Sequence, residues 1–365
     1  MGSRKTEMTI TKKLKIEGDF IDSFIYSGSL FLVDTQLCLT SYSWKEILDH
    51  SNCPSTLKPD LINCFAENNT QIISNLHDEY TIYNDTLNKY SIDTLELDSW
   101  PTDLDIYKNK FIISSADGIK SIVGNRSQEN QKVKFEFSQN IKKMWNEKVF
   151  ELAVGTLDRL IISCGHEGAF ELFTKTKADS YQLINEKQIS EKEWIGCEWD
   201  TNTGIAILKN QLKQELLKFE ILNRDYISTL SNQLEINQYY KTIKEEEPQE
   251  YELPPSNQNY INSWVFDDKV YLFGEDLKLY EYTEDRINPV TQVDTNQKSI
   301  GTIIDSAKTH FGIVFEDLDS LYLFDSNIHT LSNNVTNWRT YPKSRNYQNH
   351  IHLIEDDYMT IQIFE

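Results

Sequence analysis

A chain of 365 residues is long enough for two average domains or one large all-β domain. Its hydrophobic residues (39%), among them 17 Phe, 19 Tyr and 7 Trp, supply a sizeable core. The formal net charge of -21 excludes a general binder of nucleic acid or anionic membrane, both of which need a positive field. It leaves room for a basic protein partner.

In chain order, Met1-Gly2-Ser3-Arg4-Lys5-Thr6 fits an N-myristoylation pattern and equally a cloning remnant ahead of a start at Met8. Residues 1–7 are read as the latter. Residues 9–16 (TITKKLKI) form a lone strand, and no secretory signal or membrane span is visible. Residues 20–43 read as three strands: FIDSF, SLFLVD and QLCLTSYS. A polar connection follows, with Pro54, Pro59 and one helical turn at WKEIL. A second unit over residues 63–84 takes TQIIS and EYTIYN as strands, and SIDTLEL adds a fourth. A third (102–137) and a fourth (149–189) follow, and a fifth near Gly204 is weaker.

Residues 225–258, with Lys244-Glu245-Glu246-Glu247-Pro248 and Pro254-Pro255, are too polar for core and too long for a turn. They read as an acidic insertion or disordered loop. The sixth unit, residues 260–283 (YINSWVFDDKVYLFGEDLKLYEYT), is the clearest. A turn at Asp267-Asp268 and an acidic corner at Glu275-Asp276 separate three short strands. Val270 and Leu272 oppose Tyr271 and Phe273, so both faces of the middle strand are apolar and covered. Units over 301–324 and 338–364 complete the chain.

The repeat recurs about every 40–50 residues, the period of a four-stranded propeller blade. A meander of this size cannot bury its faces alone and must stack on another. No competing helical periodicity is found, so residues 8–365 are expected to form one all-β domain. The pattern resembles the β-propellers, broadly the WD40 proteins. Trp199-Asp200 and Gly165-His166 match that family's dipeptides, but each stands alone. The recurrent acid before the last strand of a unit (Asp34, Asp78, Asp117, Glu167, Asp276, Asp317, Asp357) looks like the WD40 turn acid, and its role is read as structural. Eight four-stranded antiparallel blades are expected, with seven as the alternative. The last unit lacks a fourth strand after Phe364, and residues 9–16 can supply it, closing the ring and removing two exposed edges.

Little in the sequence carries chemistry. His350 and His352 share one face of a strand, near Glu355 and Asp356, but two histidines fall short of a metal site, so neither metal nor cofactor is expected. Gly-x-Ser-x-Gly, Gly-x-Gly-x-x-Gly and the phosphate-binding Gly-Lys-Ser/Thr loop are absent, and no catalytic residues are assigned. Cys38, Cys53, Cys64, Cys164 and Cys197 are widely spaced, which suits free thiols in a reducing, cytoplasmic setting. Most of the seven Trp residues are expected to pack between blades, with one or two exposed to anchor partners. The candidate partner-binding residues are Glu245, Glu246, Glu247, Trp264, Asp267, Asp268 and Trp338. The expected function is a non-catalytic interaction module, an acidic scaffold or complex subunit that docks a basic protein. A hydrolase or lyase with its site in the propeller channel is the alternative.

Overall fold

A computed structural model describes residues 11–129, 132–177, 180–210, 213–251, 260–276, 278–283, 286–292, 302–325 and 327–365. The expected remnant at residues 1–7 lies outside the described residues. Seven small antiparallel sheets follow one another along the chain in a β-propeller arrangement. Blade 1 is built from Phe20–Tyr26, Ser29–Asp34, Cys38–Ser43 and Ser91–Glu96. Blade 2 has Pro101–Tyr107, Lys110–Ser115, Gly118–Glu129 and Lys142–Trp145, with Lys132–Phe137 added against the far half of its long third strand. Blade 3 has Glu151–Val154, Arg159–Ser163, Ala169–Lys177 and Ser180–Ser190. Blade 4 has Gly196–Trp199, Ile205–Lys209, Gln214–Lys218 and Gln249–Tyr251. Blade 5 has Tyr260–Phe266, Lys269–Gly274, Lys278–Thr283 and Arg286–Gln292, and blade 6 has Ile303–Lys308, Ile313–Asp317, Leu321–Phe324 and Ile328–Ser332. Blade 7 has Asn337–Thr340, His350–Glu355 and Tyr358–Phe364, and Thr11–Glu17 completes it in antiparallel register from Thr11↔Phe364 to Glu17↔Tyr358.

The first correction to the sequence reading is the blade count, seven instead of eight. The expected second unit is an insertion between the third and fourth strands of blade 1. It contains helices α1 (Trp44–Asp49), α2 (Lys58–Glu67) and α3 (Asn84–Tyr90), a 3-10 turn at Thr70–Asn75, and the strand Glu79–Ile82. That strand lies parallel to Thr11–Glu17, from Lys13↔Glu79 to Ile16↔Ile82, and becomes the fifth strand of blade 7. TQIIS, read as a strand, is part of the 3-10 turn; a short apolar run does not distinguish the two. Helix α2 begins with a proline in its first turn and ends at Asn68 in the left-handed conformation, both suited to those positions. Its buried Leu61, Cys64 and Phe65 join Trp44, Leu14 and Ile361 in one core cluster. The Trp44 indole N–H donates to the Phe65 carbonyl at 2.9 Å.

Residues 225–258, expected as an insertion or a disordered loop, lie for the most part between the third and fourth strands of blade 4, as an insertion. Their described part is not a disordered loop. It holds most of helix α4 (Arg224–Thr229), helix α5 (Gln233–Glu245) and the fourth strand of blade 4, while residues 252–258 lie outside the described residues. Asn232 caps α5 by accepting from the Leu234 and Glu235 amides, and Glu235 accepts from the Ser231 amide at 2.8 Å. The segment reads as disorder because only Ile243 of this helix is buried, so no apolar stripe marks it.

Two compact units divide the chain. The first comprises Met1–Asp98, Gly124–Phe137 and Val293–Glu365, which contain blades 1, 6 and 7. The second comprises Ser99–Val123 and Ser138–Gln292, with blades 3 to 5 and the part of blade 2 outside Gly124–Phe137. In both units the second strand of a blade is an apolar run covered on both faces: residues 29–33 in the first unit and every residue of Arg159–Ser163 in the second are buried. The turn from first to second strand has φ > 0 at both central residues in Lys108-Asn109, Leu157-Asp158 and Asp267-Asp268, the mirror-image geometry whose twist matches a hairpin.

The first strands share a device the sequence reading missed. In blades 1, 2, 5 and 6 a bulge precedes Asp22, Asp103, Asn262 and Asp305. Each of these side chains accepts from the next backbone N–H, at 2.7–2.8 Å. Three of the four lie in an Ile-Asp/Asn-Ser triplet. The same position also links successive blades. Asp103 accepts from the Leu152 amide at 3.1 Å in the second unit. Asp22 of blade 1 receives Arg339 of blade 7 at 3.0 Å in the first.

Candidate docking surface

Three of the turn acids are held by their own turns, as the sequence suggests. Asp34 accepts from the Gln36 and Cys38 amides, each at 2.9 Å. Asp317 accepts from the Asp319 and Ser320 amides at 3.0 and 2.8 Å, and from the Tyr322 hydroxyl at 3.2 Å. Asp276 accepts from the Tyr280 hydroxyl at 2.7 Å. Asp78 is different: it lies outside the blade turns and pairs with Lys12 at 2.8 Å, and the Lys12 ammonium holds its carboxyl below the usual range.

The seven partner-binding candidates occupy different settings in their units. Trp264 is 4% exposed, and its ring packs near Phe273 inside blade 5. Trp338 is half-buried and donates its indole N–H to Glu316 Oε2 at 2.7 Å. Asp267 and Asp268 form an exposed turn of blade 5. Glu245, Glu246 and Glu247 lie at the exposed end of α5, where Glu247 pairs with Lys187 at 2.6 Å and Glu245 with Lys241 at 3.5 Å.

His350 and His352 are fully buried in blade 7. His350 sits near the Phe65 and Tyr347 rings, and His352 Nδ1 is 2.8 Å from Ser23 Oγ and 3.1 Å from the Tyr341 hydroxyl. Burial pulls both imidazoles down, His350 to about 3, so neutral rings are the packed species. Among the described residues no group of three or more His, Cys, Asp or Glu is arranged to hold a metal. All five cysteines are free, and burial raises their thiols, most strongly at Cys197. Thus the most perturbed groups are interior ones.

The feature that points outward is the charge at the strand ends of the first unit. At one end lie the turns from second to third strand and the loops entering first strands. Asp19, Asp34, Asp319, Asp356 and Asp357 lie there, with Asp317 buried among them, and the described connecting residues 18–19, 35–37, 318–320, 333–336 and 356–357 include no Lys or Arg. At the opposite end, the first-to-second-strand connections 27–28, 309–312 and 341–349 contain Lys343 and Arg345, while Asp325 in the third-to-fourth-strand turn of blade 6 and Glu365 after the last strand bring acids there too. The helical insertion of blade 1 carries both signs. The second unit differs, since Asp158, Asp267 and Asp268 occupy its first-to-second-strand turns.

The acidic end of blade 6 also exposes two large aliphatic side chains, Ile304 (57%) and Leu318 (76%). Sequence reasoning passed over both, because Ile304 reads as an ordinary strand residue and Leu318 as one more apolar residue of an apolar unit. The available signals were the repeated Ile-Asp/Asn-Ser triplet, which marks the bulge, and a leucine inside the acidic turn Glu316-Asp317-Leu318-Asp319. No helix among the described residues is long and apolar enough to cross a membrane. No family model matches the chain, and no curated protein matches its sequence.

Proposed function

We propose that this chain is a non-catalytic docking module whose acidic strand ends receive a basic protein, as a scaffold or subunit of a larger assembly. The observation that carries the reading is the group of acids at one strand end of the first unit, whose described connections hold no lysine or arginine. A one-signed surface of this kind steers a basic partner and makes the encounter salt-sensitive. Nucleic acid and anionic lipid carry the same sign as this face and are repelled by it. Five free thiols suit a reducing compartment, and the cytoplasm is the proposed setting.

The test is affinity capture from the native host at low and high salt, with the wild-type chain beside the Asp319→Asn/Asp356→Asn/Asp357→Asn variant. A stoichiometric protein partner that is released by salt and lost with the variant supports the reading. Equal capture by both chains would sink it.

A further inference from the structure

Blade 6 has a feature that net charge does not explain. The bulge between Ile303 and Asp305 leaves Ile304 without a partner on the neighbouring strand and turns it to solvent. The equivalent bulge residues of blades 1 and 5, Ile21 and Ile261, are half-buried, whereas Ile304 is exposed. Leu318 follows Asp317, the residue registered with Ile303, so both aliphatic side chains flank one strand pair. The corresponding turns of blades 1 and 7 carry Thr35-Gln36 and Asp356-Asp357. Two exposed aliphatic side chains at one strand end add nothing to the fold and lose free energy to hydration.

Carboxylates surround the pair. Asp305 adjoins Ile304 and is exposed, Asp319 adjoins Leu318 and is exposed, and Glu316 stands opposite Asp305 in the register. Glu316 senses that field: burial raises its carboxyl, Asp305 and Asp317 raise it further, and the Trp338 indole opposes them. Apolar side chains within a negative field are complementary to a segment that sets an apolar side chain beside lysine or arginine.

We infer that the Ile304–Leu318 edge of blade 6 anchors a basic amphipathic segment of a partner protein, with an aliphatic or aromatic side chain on Ile304 and Leu318 and flanking cations at Asp305, Glu316 and Asp319. This rests on the acidic docking reading and gives it a location. Apolar anchors rimmed by polar contacts supply most of the binding energy in such interfaces, while the rim charges set rate and salt dependence.

The test uses the full chain and three peptides of equal length: alternating Lys and Leu, lysine alone, and alternating Glu and Leu. The Lys/Leu peptide is expected to bind more tightly than oligolysine and to slow amide exchange in Ile303–Lys308 and Ile313–Asp317. The Ile304→Ser/Leu318→Ser variant is expected to weaken the Lys/Leu peptide about tenfold and leave oligolysine unchanged. Both side chains are exposed, so an unchanged thermal midpoint confirms that the variant is folded. Oligolysine binding with no preference for Lys/Leu, or no effect of the variant, would overturn the anchor and leave the acidic reading standing. Binding of the Glu/Leu peptide as tight as Lys/Leu would overturn the charge matching. Binding of none of the three would overturn the acidic reading and the anchor with it.

Discussion

Arg159 and Glu171 face each other inside blade 3, with Nε 2.7 Å from Oε1 and each side chain 1% exposed. Neither atom has a well-aimed hydrogen bond, so the contact is one of charge. The guanidinium lies 4.8 Å from the Trp199 ring and 5.3 Å from the Phe219 ring, and its Nη1 donates to the Ile243 carbonyl of α5 at 3.5 Å. Burial holds the Glu171 carboxyl up at about 7 despite the pull of Arg159. Breaking such a pair strands a buried charge, while replacing both partners with apolar groups does not. Arg159→Met or Glu171→Gln alone is therefore expected to cost about 3–5 kcal/mol, and the double change Arg159→Met/Glu171→Leu much less. Chemical denaturation of the three variants decides; a double cost equal to the sum of the singles would refute the coupling.

Acid acts on blade 7 through His350. The unfolded chain gains a proton below about 6.5, while the native imidazole stays neutral down to about 3. Between those values the unfolded state binds more protons. This contribution to stability is thus complete above 6.5 and is lost as pH falls, by up to about 1.4 kcal/mol per pH unit. Glu171 has the opposite sign. Its native carboxyl keeps a proton between 4.5 and about 7 that the unfolded chain has lost, so stability falls as pH rises through that window. His350→Phe should flatten the acid limb and Glu171→Gln the neutral one, read from denaturation midpoints across pH. An acid limb unaltered by His350→Phe would exclude the imidazole as its source.

The N-terminal strand is a core element of blade 7. Leu14 and Ile16 are fully buried and registered with Ile361 and Met359. Leu14→Ala is expected to cost about 2–5 kcal/mol and to open the last strand to proteolysis. Lys15 lies on the other face, 3.8 Å over the Tyr358 ring, and Lys15→Ala should cost no more than about 1 kcal/mol. Comparable losses from both changes would mean that the strand is held by its backbone rather than by its buried face.

The turn Asp267-Asp268 is held at φ 49 and 60. Glycine adopts that geometry freely, aspartate tolerates it and alanine resists it. Asp268→Gly should leave stability equal or slightly higher, and Asp268→Ala should lower it by about 1 kcal/mol, measured by thermal unfolding. Matching midpoints for the two variants would contradict the turn assignment.

How far the sequence carried can be judged element by element. The blades were legible where a doubly covered second strand stood between tight turns, as in Lys269–Gly274, because period-two patterning and turn chemistry act locally. The closing strand was legible because blade 7 lacked a fourth strand. The count failed at residues 44–90, where short helices packed by a few buried side chains look like broken strands, although Pro59 and the Leu61, Cys64, Phe65 spacing marked α2. Helix α5 was hidden by its polarity, although Asn232 and Glu235 carry the capping pattern. The docking edge was illegible for another reason. Strand chemistry says that Ile304 belongs in a sheet, but only the register shows the bulge that turns it outward.

The pairing of Thr11 with Phe364 means that Thr11–Glu17 finds its antiparallel partner only after the long stretch of chain between the two strands has been made. At roughly 5–20 residues per second, that strand waits tens of seconds with an unpaired edge. Its Lys12, Lys13 and Lys15 are three cations in a short β-prone segment, the kind of residue that discourages premature association between nascent chains. The step that completes blade 7 is accordingly a markedly non-local one among the described strands, and such long-range closure is slow.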